Sequence, residues 1–294
     1  MAIKEQVRDL NKVETIYSGE GSKIYRLDDG RLYKEATPML LSICAYTGVD
    51  LERKLHSTNA ATISEIVNPI TVAYNGRHCV GYTMDYVTGA TLNSYDDTYT
   101  LAQRSDLVEY AKLFSEIERI VKRANKVGVV MPDLCTCDNI ILNPNGGLNF
   151  IDFDGMQFGR SDKSIAFSTS LKHMEKYLMS KKFTDGFCHF TRELDITSLT
   201  ILMFLVVFNI DLNKVGMYHP FDKKPITVEM IFEQLGLDDD LLLRKVKANL
   251  SLTESGSYIS DDLVRIAKNY DMFTLKVPSR IKSDGSYLKT LRRK

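Results

Sequence analysis

The sequence predicts an α+β protein in which a small β-rich part precedes a larger, mainly helical part. Two observations indicate this class. Up to about residue 87, apolar and polar residues alternate in short runs separated by glycine-containing turns. Beyond residue 88, apolar residues recur at helical spacing, and the most apolar run, ILMFLVVF, lies at 201–208. We therefore expect two units, residues 1–87 and residues 88–294.

In the first unit, strands are expected over residues 13–35 and 66–87. Each region is interrupted by an Asx-Gly pair, which is a strong hairpin-turn signal. A helical stretch, 38–56, is expected between them. Pro38 suits its first turn, and Gly48 can divide it into two pieces.

The second unit begins with a long helical pattern at 101–126 that has apolar residues on one face. A strand-turn-strand segment follows at 132–155. Further helices are then expected near 168–182, 194–209, 227–235, 239–249 and 260–269.

Composition excludes some classes of function. Lys and Arg total 38 and Asp and Glu total 38, so the net charge of zero argues against a dedicated nucleic-acid or membrane-surface protein. The tail 276–294 carries seven basic residues against one acid and is interpreted as solvated. No signal peptide is recognised, and the apolar run is too short to span a bilayer. Five cysteines without a disulfide spacing favour the reducing cytoplasm.

The segment PDLCTCDNIILNPNGGLNFIDFDG, residues 132–155, carries the chemistry. Asp152 follows an apolar strand, and Asn139 precedes the opposing strand of the same predicted hairpin. The two side-chain oxygens therefore start from neighbouring strand ends and could share one Mg²⁺, which prefers oxygen ligands. Asp133 lies in the preceding loop, where it could orient or deprotonate an attacking hydroxyl. The alternative is a hairpin whose polar residues only cap turns.

These motifs give the chain a resemblance to the protein-kinase-like superfamily, which includes protein kinases and small-molecule kinases such as aminoglycoside and choline kinases. The resemblance implies a bilobal fold: a small antiparallel-sheet N-lobe with one helix, and a larger, mainly helical C-lobe. It also implies ATP and Mg²⁺ as cofactors. In its terms Asp133 is similar to the catalytic-loop Asp, Asn139 to the catalytic-loop Asn, and Asp152 to the Asp of D-F-G.

The resemblance extends to the first unit. Gly19, Gly21 and Ser22 lie between two predicted strands and resemble the glycine-rich loop that covers the ATP phosphates. Lys34 resembles the phosphate-binding lysine of the third strand, although a strand lysine is also common at solvated edges. Glu52 is then the expected helix partner of Lys34. A surface glutamate beside Arg and Lys is the alternative, and Glu65 is a weaker candidate for the partner of Lys34.

The end of the second β region resembles a kinase hinge. Met84 would line the back of a nucleotide pocket, and Asp85 and Val87 would offer backbone groups to an adenine edge. Asp195, at the start of the most apolar helix, resembles the acid that braces the catalytic loop. It also suits a helix N-terminus.

The sequence departs from the family pattern around the catalytic loop. Asn139 lies six positions after Asp133, where the family has five, so the metal ligand is either an Asn139 displaced by an insertion, which its spacing to Asp152 favours, or Asp138. Met and Pro replace the usual His-Arg before Asp133. Cys135 stands where protein kinases carry a lysine. With Cys137, it is interpreted as a small loop residue.

A zinc site built from these two cysteines and the Cys188-His189 pair is a weaker hypothesis.

The functional expectation from the resemblance is transfer of the γ-phosphoryl group of Mg-ATP to a hydroxyl, preferably a Ser or Thr of a protein. A small-molecule kinase on the same fold and a nucleotide-binding pseudokinase are the alternatives.

Overall fold

The structure is a computed structural model. It describes residues 3–19, 21–58, 60–92, 107–131, 133–135, 137–159, 190–208, 210, 212, 227–251 and 256–269. Within these ranges the protein is of mixed α+β class, with a six-stranded sheet and seven α-helices. The expected α+β class is therefore confirmed.

The six-stranded sheet is built entirely from the first 84 residues and has the strand order β1-β5-β6-β4-β3-β2. Its strands are β1 (Ile3–Gln6), β2 (Lys12–Ser18), β3 (Ser22–Leu27), β4 (Leu32–Ala36), β5 (Thr71–Asn75) and β6 (His78–Met84). Five strands pair antiparallel, as expected, but β1 runs parallel to β5 at one edge. The sequence did not predict β1, because this short edge strand has no buried residue and hence no alternating pattern.

Two short helices lie between β4 and β5, where the family resemblance alone implied one. The first, α1 (Pro38–Thr47), begins where the Thr37 side chain accepts a hydrogen bond from the Leu40 amide. Gly48 ends it in the left-handed conformation, with φ of 67°. Asp50 then caps α2 (Leu51–Leu55). The predicted division at Gly48 is thus confirmed.

The remaining elements begin after residue 89. They are β7 (Ala90–Thr91), α3 (Leu107–Lys126), β8 (Val129–Val130), β9 (Ile140–Leu142), β10 (Leu148–Phe150), β11 (Gln157–Phe158), α4 (Arg192–Phe208), α5 (Val228–Leu235), α6 (Asp240–Leu250) and α7 (Ser260–Asn269). β10, β9 and β7 form one small sheet, and β11 pairs with β8. The last four helices match the predicted ones. The helix predicted near 168–182 lies outside the described residues, as does the basic tail 276–294.

The core of the second part forms around α3 and α4. Most of α4 is buried, as its apolar sequence predicts. The buried carboxylate of Glu118, on α3, accepts hydrogen bonds from the amides of Ile259 and Ser260 at the start of α7. A carboxylate at a helix N-terminus stabilises that end of the helix. No helix in the described ranges combines the length and apolar character needed to cross a membrane.

The segment before β5 joins the large sheet to the small one. The Phe150 amide donates to the Glu65 carbonyl at 2.7 Å, and the Val67 amide donates to the Phe150 carbonyl at 2.9 Å. The Glu65 carboxylate also receives Arg119 and Arg123 from α3. These contacts place the end of β10, and the acidic segment that follows it, against the first part of the chain.

Gly81 provides a test of the packing between β4 and β6. A Cβ atom at this position would lie 2.1 Å from the Lys34 carbonyl oxygen. We expect Gly81→Ala to lower the free energy of unfolding by about 1–3 kcal/mol, because strand pairing must open to admit the methyl group. Urea denaturation followed by far-UV circular dichroism measures this change.

Gly21→Ala is the matched control, because a Cβ atom there meets nothing within 4 Å. It should change the free energy of unfolding by less than about 0.5 kcal/mol. Equal losses in the two variants would contradict the close approach of β4 and β6 at Gly81.

Candidate functional site

The predicted hairpin of the 132–155 segment is confirmed. β9 and β10 pair antiparallel, with Phe150 opposite Ile140. Just beyond the pairing, the Ile151 amide donates to the Asn139 carbonyl at 2.9 Å. Asn139 directly precedes β9, and Asp152 follows β10. The two residues therefore lie at the same end of the hairpin.

Asp152 has an unusual backbone conformation. Its φ of 69° and ψ of 48° lie in the left-handed region, which costs a residue with a side chain about 1–2 kcal/mol. Its carboxylate lies close over the Gly155 backbone, since a Cβ atom on Gly155 would be 2.3 Å from Asp152 Oδ2. Cys137 also has a positive φ, of 62°. Among the described non-glycine residues these two have a positive φ, and both lie in the segment that the sequence assigned to chemistry.

Lys34 reaches this segment from β4. Its Nζ atom contacts the Asp152 carboxylate and lies 2.7 Å from Asp154 Oδ1. The buried Tyr82, on β6, donates its hydroxyl to the same Asp154 oxygen at 2.8 Å. Two acids from the 132–155 segment and two side chains from the large sheet therefore form one cluster.

The charges in this cluster stabilise one another. Burial acts to lower the pKa of Lys34, but the carboxylates of Asp152 and Asp154 outweigh it and hold that pKa well above its ordinary value. Burial acts to raise the pKa of Asp154, and the Lys34 ammonium outweighs it, so the Asp154 pKa lies below its ordinary value. Lys34 is therefore an ammonium group and Asp154 a carboxylate at neutral pH.

The expected pair of Lys34 and Glu52 is not formed. Glu52 bonds the exposed Lys4 at 2.9 Å, and this agrees with the alternative of a surface glutamate. α2 instead turns Lys54 inward, where it is 1% exposed. The Lys54 ammonium donates to the Met156 carbonyl, one turn beyond Asp152. With only five residues, α2 gave no periodicity from which its buried face could be predicted.

Asp133 and Asn139 are brought together. The Asn139 side-chain amide lies 3.2 Å from the Asp133 carbonyl and 3.4 Å from its Oδ2 atom. With Asp152 they line a cavity of about 20 Å³, which is room for one water-sized body. Asp138 is exposed, so the structure places Asn139, and not Asp138, at the cavity. The other lining residues are Met131, Leu134, Phe150, Ile151, Gly155 and Met156.

Asp195 braces the loop that carries Asp133, as predicted. This fully buried residue of α4 accepts a hydrogen bond from the Met131 amide at 2.9 Å. Its other oxygen accepts from Asn125 Nδ2 at 2.6 Å. Asn125 in turn bonds the Val129 carbonyl and receives the Tyr258 hydroxyl. One aspartate therefore holds the backbone two residues before Asp133.

The predicted glycine loop is a tight turn between β2 and β3. The Gly19 amide donates to the Ser22 carbonyl at 2.9 Å, and the Gly21 carbonyl receives the Thr37 amide at 3.0 Å. Glu20, between the glycines, lies outside the described residues. Gly21 has open space on its side-chain face. The turn is thus fixed at both ends.

The predicted connector follows β6. Met84, the last residue of β6, is buried, whereas Asp85 is exposed and Val87 packs against the core while remaining partly exposed. Within the described part of the chain, no backbone hydrogen bond involves Asp85 or Val87.

The donor set suits a magnesium ion that keeps other ligands. The described residues contain no group of three or more His, Cys, Asp and Glu side chains arranged to hold a metal. Asn139 and Asp152 offer two oxygen-bearing side chains, and Mg²⁺ in phosphate-binding sites commonly has few protein ligands beside water and phosphate. In the described ranges Cys135 and Cys137 are buried and form no disulfide. Cys188 and His189, the other members of the zinc hypothesis, lie outside those ranges.

Sequence reasoning missed Asp154, Tyr82 and Lys54. Asp154 offered one signal, since it lies two residues after the predicted metal ligand Asp152. Tyr82 and Lys54 gave none, because a buried hydroxyl and a buried ammonium are recognised only when their partners are known.

No protein-family model and no curated protein matches the chain. Any functional conclusion therefore depends on the chemistry and geometry of this site.

The brace at Asp195 generates a pH prediction. Burial raises the pKa of Asp195 to about 7 from an ordinary value of 3.8. A raised acid pKa means that the protonated form is favoured by folding, so its contribution to stability is complete below pH 4 and lost as pH rises to about 7. The full effect is at most about 4 kcal/mol, from roughly three pKa units.

Asp195→Asn removes this titration while preserving the shape of the side chain. We expect the free energy of unfolding of wild type, relative to the variant, to fall between pH 4 and pH 7. Urea denaturation at half-unit pH steps measures the difference. Parallel pH profiles for the two proteins would contradict the buried, titrating state of Asp195.

Proposed function

We propose that the protein is an ATP-dependent phosphotransferase with a bilobal, kinase-like arrangement, and that it transfers the γ-phosphoryl group to a hydroxyl. One observation carries the proposal. Lys34, expected from the family resemblance to be the phosphate-binding cation, contacts Asp152, expected to be a metal ligand, across 118 residues of chain. A turn-capping role for Asp152 does not require a buried lysine from the large sheet. Phosphoryl transfer requires a cation and a metal ligand side by side.

The nucleotide would occupy the region between the connector and Lys34. β4 and β6 are neighbours in the sheet, with Leu32 opposite Met84 and Lys34 opposite Tyr82. Lys34 therefore lies two residues along β4 from the position next to the connector, a spacing of about 7 Å. Backbone groups of Asp85 and Val87 would meet the adenine edge, and Lys34 would meet the phosphates.

Asn139 and Asp152 would hold Mg²⁺. The bound ion would neutralise the charge that develops on the phosphate oxygens. The protein itself would hold these two side chains in position: the hairpin fixes Asn139, and the Gly155 backbone supports the Asp152 carboxylate. The glycine turn of Gly19, Gly21 and Ser22 would face the phosphates with backbone amides.

Asp133 would orient the acceptor hydroxyl and receive its proton. Its loop is fixed from behind by the bond between Asp195 and the Met131 amide. We favour a Ser or Thr hydroxyl of a protein, because the connector and the brace both resemble protein-kinase parts. A small-molecule hydroxyl is the second candidate, since buried Cys135 occupies the place of the usual lysine.

The test is ADP release by purified protein in Mg-ATP, with the intact mass followed in parallel. Wild type should release ADP, and Asp133→Asn should lower kcat by about 10²–10⁴-fold, because the hydroxyl proton loses its acceptor. Asp152→Asn should lower turnover at least as strongly. A gain of one phosphate mass would support the protein substrate, whereas turnover only with added metabolites would support the second candidate.

Asp138→Asn is the matched control, because Asp138 is exposed and lies next to Asn139 in the same loop. It should retain wild-type turnover. Nucleotide binding without turnover in the presence of varied acceptors would favour a pseudokinase. Equal activity of wild type, Asp133→Asn and Asp152→Asn would contradict the proposed site.

A further inference from the structure

The ammonium of Lys34 has two carboxylate partners, and their surroundings differ. Asp154 has a side chain 12% exposed and receives Tyr82 as a second donor. Asp152 has a side chain 31% exposed and lines the cavity beside Asn139. One carboxylate is thus enclosed by the large sheet, and the other is open to the cavity.

We propose that Asp154, fixed by the Tyr82 hydroxyl, is the positioning residue that holds Lys34, and that this role does not belong to an acid on α2. The Asp152 carboxylate can then turn from Lys34 towards the cavity, while Asp154 keeps the lysine in place. The consequence for turnover rests on the proposed phosphotransferase function. The anchor itself is a property of the protein without ligands.

The charges around the cluster support this division. The carboxylates of Asp152 and Asp154 both contact the Lys34 ammonium, and the Lys54 ammonium donates to the Met156 carbonyl, two residues beyond Asp154. The Lys34 ammonium already has two carboxylate partners, so a third carboxylate from α2 is not needed to balance its charge.

The positions of the side chains also distinguish the two acids. Tyr82 lies opposite Lys34 in the sheet, so the lysine and the hydroxyl that fix Asp154 belong to adjacent strands. Both bonds to Asp154 therefore come from one rigid element. Asp152 has the left-handed backbone and packs on Gly155, so its position is set by the segment after β10.

The ligand-free test is trace acetylation of Lys34 with acetic anhydride, quantified by mass spectrometry of the Lys34 peptide. Asp154→Asn should increase the acetylation rate at pH 8 about tenfold, because a weaker anchor leaves more free amine. Tyr82→Phe, which removes one hydroxyl, should give a smaller increase in the same direction. Glu52→Gln should leave the rate unchanged.

Asp262→Asn is the matched control. Asp262 has a 13% exposed side chain and pairs with Lys245, far along the chain from the site. It should leave Lys34 acetylation and turnover at wild-type values. Thermal unfolding of every variant shows whether a change at Lys34 follows from general loss of structure.

The second readout is the Mg²⁺ dependence of turnover. In Asp154→Asn the lysine keeps Asp152 as its partner, so half-maximal turnover should need about tenfold more Mg²⁺. A purely structural defect would lower kcat without changing the Mg²⁺ concentration needed for half-maximal turnover.

The inference is overturned if Asp154→Asn leaves Lys34 acetylation at the wild-type rate, or if Glu52→Gln raises it equally. Increased acetylation in Asp154→Asn, with no ATP turnover by wild type, would uphold the anchor and refute the proposed function. Turnover by wild type with unchanged acetylation in Asp154→Asn would support the proposed function and refute the anchor.

Discussion

The ion cluster of Lys34 with Asp152 and Asp154 is the interaction on which the site depends. It joins β4 of the large sheet to the segment that follows β10, and these are 118 residues apart in the sequence. Loop-closure entropy and the desolvation of the charges both oppose such a contact, so the hydrophobic packing of Tyr82, Phe153 and Met156 in one core must help to hold it. Lys54 adds a second link from α2 to the same segment. Removing the cluster would leave the metal-ligand candidates without their cation.

Buried charges are stable only when they are balanced and hydrogen-bonded, and here the Tyr82 hydroxyl completes the shell of Asp154. The left-handed backbone conformation of Asp152 also costs free energy. It is maintained by the packing of Gly155 and by the β9–β10 hairpin. On the far side, the bond from the Met131 amide to Asp195 fixes the loop of Asp133. These side chains are therefore held in place without a ligand, as the proposed phosphotransferase function would require.

The sequence predicted the parts of the site that depend on local pattern. The β9–β10 hairpin, the glycine turn and Lys34 on a strand follow from alternation and turn residues, and the structure has them. The pairing of Glu52 was wrong, because the buried face of a five-residue helix is set by tertiary contacts. Asp154 was missed for a related reason. Its role arises from a turn that folds it back onto β4 and β6, and no periodicity records that turn.

The most direct test of the account is isothermal titration calorimetry of the purified protein with ATP, with and without Mg²⁺, beside Lys34→Met. Wild type is predicted to bind ATP with a Mg²⁺-dependent affinity, and Lys34→Met to bind at least about tenfold more weakly, a loss of about 1.4 kcal/mol. Absence of ATP binding by wild type, or equal affinities of the two proteins, would contradict the central claim that this ion cluster belongs to a nucleotide site.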